Sequence, residues 1–299
     1  MTTFSTKRRS LAGLAAALGA ASLAPPCAAL MAGAVPDTPA ARVDANTAAS
    51  PWAGVGSITQ GGATYTGTLI GRRHVLTAAH AVPADAAIAE VMFNLNFGAD
   101  LSHRIRVVRV HRHPRFVDFN KPDLRHDIAV LELEREVPAG VPIYGLVAAP
   151  LQAGTTLTLV GYGASGNGST GPAVDRNPAV KRVGRNNADD FEPGDDGGAE
   201  PSLYLFDFDG EPGSSNFLGG KTLGNAVETS LASGDSGGPA FVREGGAWKI
   251  AGVNTFVRYF PQGMKAMGRF GTAAGGQVVH AYRDWIIQMA RAAGGQASR

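Results

Sequence analysis

An all-β fold, a barrel or sandwich with one C-terminal α-helix, is the architecture this sequence predicts. Three observations carry that prediction. Short β-type runs recur with Gly and Pro in the gaps, no long helical pattern interrupts them, and apolar spacing of three and four appears only in residues 278–292.

The runs lie at residues 64–70, 74–78, 88–95, 104–111 and 128–133. After a connection at 137–152 that carries Pro138, Gly140, Pro142 and Pro150, they resume at 155–162, 202–208, 239–242 and 248–256. The stretch Arg104-Ile105-Arg106-Val107-Val108-Arg109-Val110 partly alternates basic and apolar side chains, as on a strand with one wet face. Residues 164–200 hold many Gly, Asn, Asp and Pro residues, which is loop composition. Val278, Tyr282, Trp285, Ile286 and Met289 then fall on one helical face. The connection divides the ordered chain into halves of about 52–137 and about 153–277, followed by the helix.

The 299 residues are 44% hydrophobic and 17% charged, enough for a substantial core. The net charge of +2, with no basic block beyond the first ten residues, argues against a nucleic-acid partner. Lys7-Arg8-Arg9, the apolar run at 11–24 and Ala32-Gly33-Ala34 together read as a secretory signal peptide over residues 1–34. Arg8-Arg9 also admits twin-arginine export. Residues 35–51, rich in Ala, Pro, Asp and Thr without apolar period, read as a propeptide or flexible arm before a domain at 52–293. The expected location is secreted or periplasmic, with no membrane attachment after leader removal. The single cysteine, Cys27, precedes the cut, so the exported chain is expected to fold without disulfides.

Gly234-Asp235-Ser236-Gly237-Gly238-Pro239 is the segment with the strongest chemical content. Glycines on both sides of Ser236 let the backbone turn sharply and approach a ligand closely. A serine hydroxyl needs a histidine base and an orienting carboxylate to become nucleophilic. Among seven histidines, His80 closes Val75-Leu76-Thr77-Ala78-Ala79-His80, where small residues leave room for an imidazole. Asp127 stands directly before the apolar run Ile128-Ala129-Val130-Leu131. The hexapeptide also satisfies the G-x-S-x-G elbow of esterases, whose acid and histidine follow the serine. Glu244 and His280 are the candidates there, and Pro239 with the β-type run after it opposes the helix that fold needs.

Leu76-Thr77-Ala78-Ala79-His80, His126-Asp127-Ile128-Ala129-Val130-Leu131 and Gly234-Asp235-Ser236-Gly237-Gly238-Pro239 resemble the three signatures of the chymotrypsin/trypsin-like serine proteases, in that family's order. Gly67-Thr68-Leu69-Ile70, His113-Pro114 and Gly161-Tyr162-Gly163 extend the likeness from about Trp52 to Tyr282-Arg283-Asp284-Trp285-Ile286. The resemblance implies two six-stranded antiparallel β-barrels with a catalytic cleft between them. It implies a secreted, bacterial-type, disulfide-free serine endopeptidase, monomeric and without cofactor, acting on protein or peptide substrates through an acyl-enzyme. It makes Ser236 the nucleophile, His80 the base and Asp127 the orienting acid, with the N–H groups of Gly234 and Ser236 as the oxyanion hole. Asp235 becomes the acid that orders this loop by pairing with a new N-terminus, with cleavage at Arg42-Val43 as the candidate, or with an internal arginine. Ser230, Asn254 and Phe256 become the specificity pocket, with Phe256 narrowing it toward small or medium apolar side chains. Glu228 falls two residues short of the pocket floor. A catalytically dead homologue acting as a binding module is the rival class, and the presence of all three triad residues opposes it.

The interval from Asp127 to Ser236 is longer than usual for the family, with the surplus between residues 164 and 223. Its acidic runs, Asp189 to Asp196 and Asp207-Phe208-Asp209, offer oxygen ligands without the full spacing of a calcium loop, so a solvated acidic loop and no metal are expected. His111 and His113 have same-face strand spacing but lack a second ligand pair, which leaves them a surface role. Ala81 stands where many relatives of the family carry a disulfide cysteine.

Overall fold

The structure is a computed structural model and describes residues 30–83, 86–97, 100–117, 123–195, 200–210, 215–260 and 266–292. Most of the predicted leader, residues 1–29, lies outside the described residues. No helix among those described is long and apolar enough to cross a membrane.

Six antiparallel strands close the first barrel: β1 (Val55–Gln60), β2 (Ala63–Gly71), β3 (His74–Thr77), β4 (Met92–Phe97), β5 (Asp100–Arg112) and β6 (Ala129–Leu133), in the order β1-β2-β3-β6-β5-β4. The sequence reading missed β1, although its signal was present. Gly61 and Gly62, with φ of 53° and 79°, form the two-residue turn that pairs Gln60 with Ala63. Such a turn needs positive φ at both centres, which glycine supplies without a steric penalty. Ile58, Leu69, Val75, Phe93, Ile105 and Leu131 fill the barrel.

The second half carries β7 (Gly145–Leu146), β8 (Thr156–Gly161), β9 (Ser165–Asn167), β10 (Gly171–Val174), β11 (Arg182–Asn187), β12 (Asp190–Pro193), β13 (Pro201–Phe208), β14 (Pro239–Glu244), β15 (Ala247–Tyr259) and β16 (Thr272–Val278). The main sheet runs β11-β8-β14-β15-β16-β13-β12, with β7 alongside β15 and a separate β9-β10 hairpin. Backbone ladders do not join β11 to β13. A side chain bridges them: Asn186 Nδ2 donates to Asp207 O at 2.7 Å and to Thr229 O at 2.8 Å. The sheet comes round on itself because β11 runs after two residues into β12, which pairs with β13 (Asp190 with Leu205, and Asp189 N donating to Leu205 O at 2.9 Å), so β11 and β12 act as one bent strand and β7 is the addition to the expected six.

The helix α1 (Val279–Ala292) follows β16 directly and lays Tyr282, Ile286 and Met289 on a cluster shared by both halves. Trp52, Leu76, Val130, Tyr162, Phe241 and Ile250 belong to that same cluster. Burying large apolar side chains from both barrels in one seam fixes the cleft geometry, at about 1.5–3 kcal/mol for each side chain buried.

Residues 35–51 depart from the expected flexible arm. A 3₁₀ turn at Pro39–Arg42 is followed by a bridge between Val43 and Arg182. Arg42 forms a buried ion pair with Asp37 and donates to Glu228 O at 2.9 Å. Lys181 is fully buried, donates to Trp52 O at 2.7 Å, and lies 3.4 Å from Asp44 Oδ2. The anchors are ionic and backbone contacts, so a search for apolar periodicity does not detect them.

Residues 30–32 pack deeper still. Leu30, Met31 and Ala32 have no exposed surface. Leu30 joins the second barrel core, and Met31 packs with Phe208 and Ala232. Met31 N donates to Ser230 O at 3.0 Å, and Ala32 pairs in parallel with Asn167. The predicted leader boundary after Ala34 would remove this packed segment.

Candidate active site

His80 leaves β3 through Ala78 and Ala79, both without exposed surface, so the chain turns tightly and brings the imidazole to the seam. Asp127 arrives from the opposite strand through a compressed turn. His126 has φ of +64°, unfavourable for a residue with a Cβ, and Ile128 N donates to His126 O at 2.8 Å. The Tyr282 hydroxyl accepts from His126 N at 3.1 Å and holds this conformation from α1. Helix and turn together aim the buried carboxylate of Asp127.

Both oxygens of that carboxylate meet one residue. Asp127 Oδ1 accepts the His80 backbone N–H at 2.8 Å, and Oδ2 lies 2.5 Å from His80 Nδ1. An acceptor at Nδ1 selects the tautomer with its proton there, directing Nε2 toward the other side of the ring.

Ser236 sits on a loop pinned from both halves. Ser236 O accepts from Thr66 N at 2.9 Å, Gly234 O accepts from Thr66 Oγ1 at 3.0 Å, and Gly237 N donates to Asn254 O at 2.8 Å. Gly234 has φ of +101°, and a Cβ there would meet Gly163 Cα at 2.8 Å, Thr64 O at 3.0 Å and Arg176 Cβ at 3.4 Å. Among the described residues, neither Gly234 N–H nor Ser236 N–H is engaged in a protein hydrogen bond. His80, Gly234 and Ser236 line one cavity of about 290 Å³.

Asp235 points away from that cavity and has no exposed surface. It accepts from Ala232 N at 2.9 Å, Gly163 N at 2.9 Å and Leu30 N at 3.3 Å. Burial pushes its carboxyl up to about 7, against these three donors and the nearby Arg182 charge, which favour ionisation. Val43, expected as the partner of Asp235, instead bridges to Arg182 and is exposed. The backbone nitrogen that reaches Asp235 belongs to Leu30.

The specificity residues divide. Phe256 lines the cavity with Leu231, Ala232, Ser233, Thr255 and Val257, and Met267 is also part of the lining. Ser230 and Asn254 do not line it. Ser230 is covered by the segment carrying Met31, whose N–H bonds its carbonyl. Asn254 is fully buried, accepts from Tyr204 Oη at 2.6 Å, and is followed by a register shift in the β15-β16 pairing. A bulge breaks strand alternation, which is why three consecutive residues, 255–257, face the cavity. Sequence counting also missed Tyr65, Arg176 and Met267. Arg176 and Met267 lie in the extended second half, where family spacing gives no register.

Among the described residues, no group of three or more His, Cys, Asp or Glu side chains is arranged to hold a metal ion. Asp195 instead pairs with Arg115 and lies 3.2 Å from His126 Nε2. His113, expected at the surface, stacks on His126 and meets Tyr282 and Trp285 edge-on. Burial, helped by the neighbouring His126 and Arg115, pushes its imidazole down to about 4. Asp189 is half-buried and accepts from Asp207 N at 3.2 Å, and burial with the Asp207 charge pushes its carboxyl up to about 7.

Two β-barrels with a glycine-framed serine and a carboxylate-held histidine facing one cleft define a chymotrypsin-like serine protease. The trypsin family model matches residues 41–202, more than half of the chain, a stretch that includes His80 and Asp127 and ends before Ser236. The chain belongs to the trypsin family. Its fold is similar to that of neuropsin, a serine protease expressed in the limbic system of mouse brain, with a TM-score of 0.53 and 21% identity. That alignment covers 81% of this chain and 95% of neuropsin. No curated protein sequence matches the chain significantly.

Proposed function

We propose that this serine protease is an exported, monomeric endopeptidase in which Ser236, His80 and Asp127 form the catalytic triad. The observation that carries the proposal is the double engagement of His80 by Asp127, with Ser236 and His80 lining the same cavity. His80 Nε2 takes the Ser236 proton as Oγ attacks the substrate carbonyl carbon, and Asp127 stabilises the imidazolium. The tetrahedral oxyanion is received by the Gly234 and Ser236 N–H groups. Its collapse breaks the C–N bond, with His80 protonating the leaving amine. Water, deprotonated by the same imidazole, then cleaves the acyl-enzyme.

The cavity wall of Leu231, Ala232, Thr255, Phe256, Val257 and Met267 carries no carboxylate and favours an apolar side chain on the acyl side of the scissile bond. Glu228 is buried behind it, accepting from Thr222 Oγ1 at 2.8 Å, Asp209 N at 2.8 Å and Leu223 N at 3.0 Å. Internal cleavage of peptides blocked at both ends, favouring apolar over Lys or Arg residues, is the expected result. Release of terminal residues only, or strict Lys/Arg cleavage, would contradict it.

Export removes the leader ahead of Leu30. Cys27-Ala28-Ala29 supplies small residues in the pattern of a cleavage site, and Leu30 N already lies at Asp235. Once freed, that nitrogen is an α-ammonium that can neutralise the buried carboxylate and secure the 233–238 loop.

A further inference from the structure

Arg176 is the charged side chain in the lining of the catalytic cavity that neither the triad nor the apolar pocket uses. It is exposed, and among the described residues it makes no hydrogen bond or ion pair. The neighbouring Asp175 is exposed as well, and among the described residues no carboxylate lines the cavity.

The backbone beside Arg176 is held firmly. Pro178 O accepts from Ser57 Oγ at 2.8 Å and from Asn96 Nδ2 at 2.9 Å. Ala179 O accepts from Asn46 Nδ2 at 3.3 Å, and Ala179 N closes a turn on Asn177 Oδ1 at 2.8 Å. A loop tied to the first barrel and to the N-terminal arm within three residues presents the guanidinium from a fixed base.

Position along the substrate follows from the chemistry of the cleft. His80 must protonate the leaving amine, so the leaving group departs on the His80 side. Tyr65 stands edge-on to His80, with ring centroids 6.0 Å apart. Thr64, the residue before it, and Arg176 approach the same side of Gly234. The apolar wall of Leu231, Ala232 and Thr255–Val257 accommodates the acyl side. A chain leaving between Tyr65 and Arg176 advances about 3.3 Å per residue, so the arginine side chain can reach its first or second residue.

We propose that Arg176 is a specificity-determining residue that binds an aspartate or glutamate side chain one or two residues beyond the scissile bond, on the leaving-group side. The pairing is a guanidinium–carboxylate contact at a wet rim, suited to discrimination and to steering of acidic peptides. This inference rests on the peptidase reading of the cleft.

The test uses fluorogenic peptides that share one acyl-side sequence and carry Glu, Gln or Lys at the first or second leaving-group position, with kcat/KM as the readout. The wild-type protein is expected to prefer Glu over Gln by about fivefold at one of the two positions, and Gln over Lys, at low salt. Raising the ionic strength to 0.5 M should shrink the ratio, since screening weakens exposed pairs. Arg176→Ala should bring the Glu/Gln ratio to about one, Arg176→Lys should retain part of it, and Arg176→Glu should invert the Glu/Lys order. A ratio near one in the wild type, or a Glu preference undiminished in Arg176→Ala, overturns the proposal. Cleavage of none of the peptides, together with no fluorophosphonate labelling of Ser236, overturns the peptidase reading beneath it.

Discussion

The backbone nitrogen of Leu30 lies 3.3 Å from Oδ2 of Asp235, the residue that immediately precedes Ser236. An N-terminal segment is thereby joined to the loop that carries the nucleophile. Ser165 Oγ donates to Leu30 O and Thr229 Oγ1 donates to Met31 O on the same path. The N-terminal arm is thus a structural part of the second barrel.

On the proposed export and leader removal, N-terminal sequencing of the processed protein is expected to begin at Leu30. Leu30→Ala should cost about 2–5 kcal/mol in denaturant unfolding, as for other fully buried leucines. A mature terminus at Val35 or Val43 with full activity would refute the role given to this segment.

Asp127→Asn should preserve the fold and lower kcat by about four orders of magnitude, because an amide can hold the imidazole in the wrong tautomer. Circular dichroism and kinetics on blocked peptides check both halves of that statement. Loss of activity below tenfold would remove Asp127 from the triad.

Asp44→Asn leaves the buried Lys181 ammonium without its carboxylate and should cost about 3 kcal/mol. Burial pushes the Lys181 amine down to about 8, against the opposing pull of Asp44. Between pH 8 and the ordinary lysine value the unfolded chain therefore binds more protons than the folded one. Stability from this group must rise with pH across that window, and the rise should begin at lower pH in Asp44→Asn. Urea midpoints from pH 7 to 10.5 measure it.

The acidic cluster has the reverse sign to that of Lys181. Burial pushes Asp189 up to about 7 and Asp207 up to about 6, and it raises Glu228, which lies beside the Asp209 carboxyl. The folded chain keeps these protons at pH values where the unfolded chain has released them. Their contribution is therefore full below about pH 4, declines as pH rises from there, and is lost once pH has passed through about 6–8. Asp189→Asn should flatten the decline in a pH series of thermal unfolding. An unchanged slope would remove Asp189 as its source.

What the sequence revealed depended on how each feature is encoded. His80, Asp127 and Ser236 were legible because each stands in a short segment whose neighbours are restricted by the same local geometry. The helix was legible through Tyr282, Trp285, Ile286 and Met289, a periodicity that burial on one face imposes. The arm was not, because Arg42, Asp44, Lys181 and Arg182 hold it through ion pairs and carbonyls that leave no periodic trace. Ser230 and Asn254 were misplaced for a related reason. A bulge in β15 and a segment from residue 30 decide which side chains face the cavity, and both are long-range features. Asp189 and Asp207 read as solvated because composition does not disclose that the backbone N–H groups of Asp207 and Phe217 donate to their carboxylates.

The most direct test of the central claim is fluorophosphonate labelling of the purified protein, read by mass spectrometry. The catalytic arrangement predicts one adduct, on Ser236, abolished in Ser236→Ala and strongly slowed in His80→Ala. An unlabelled Ser236 in folded protein that begins at Leu30, or labelling that persists undiminished in His80→Ala, would contradict it.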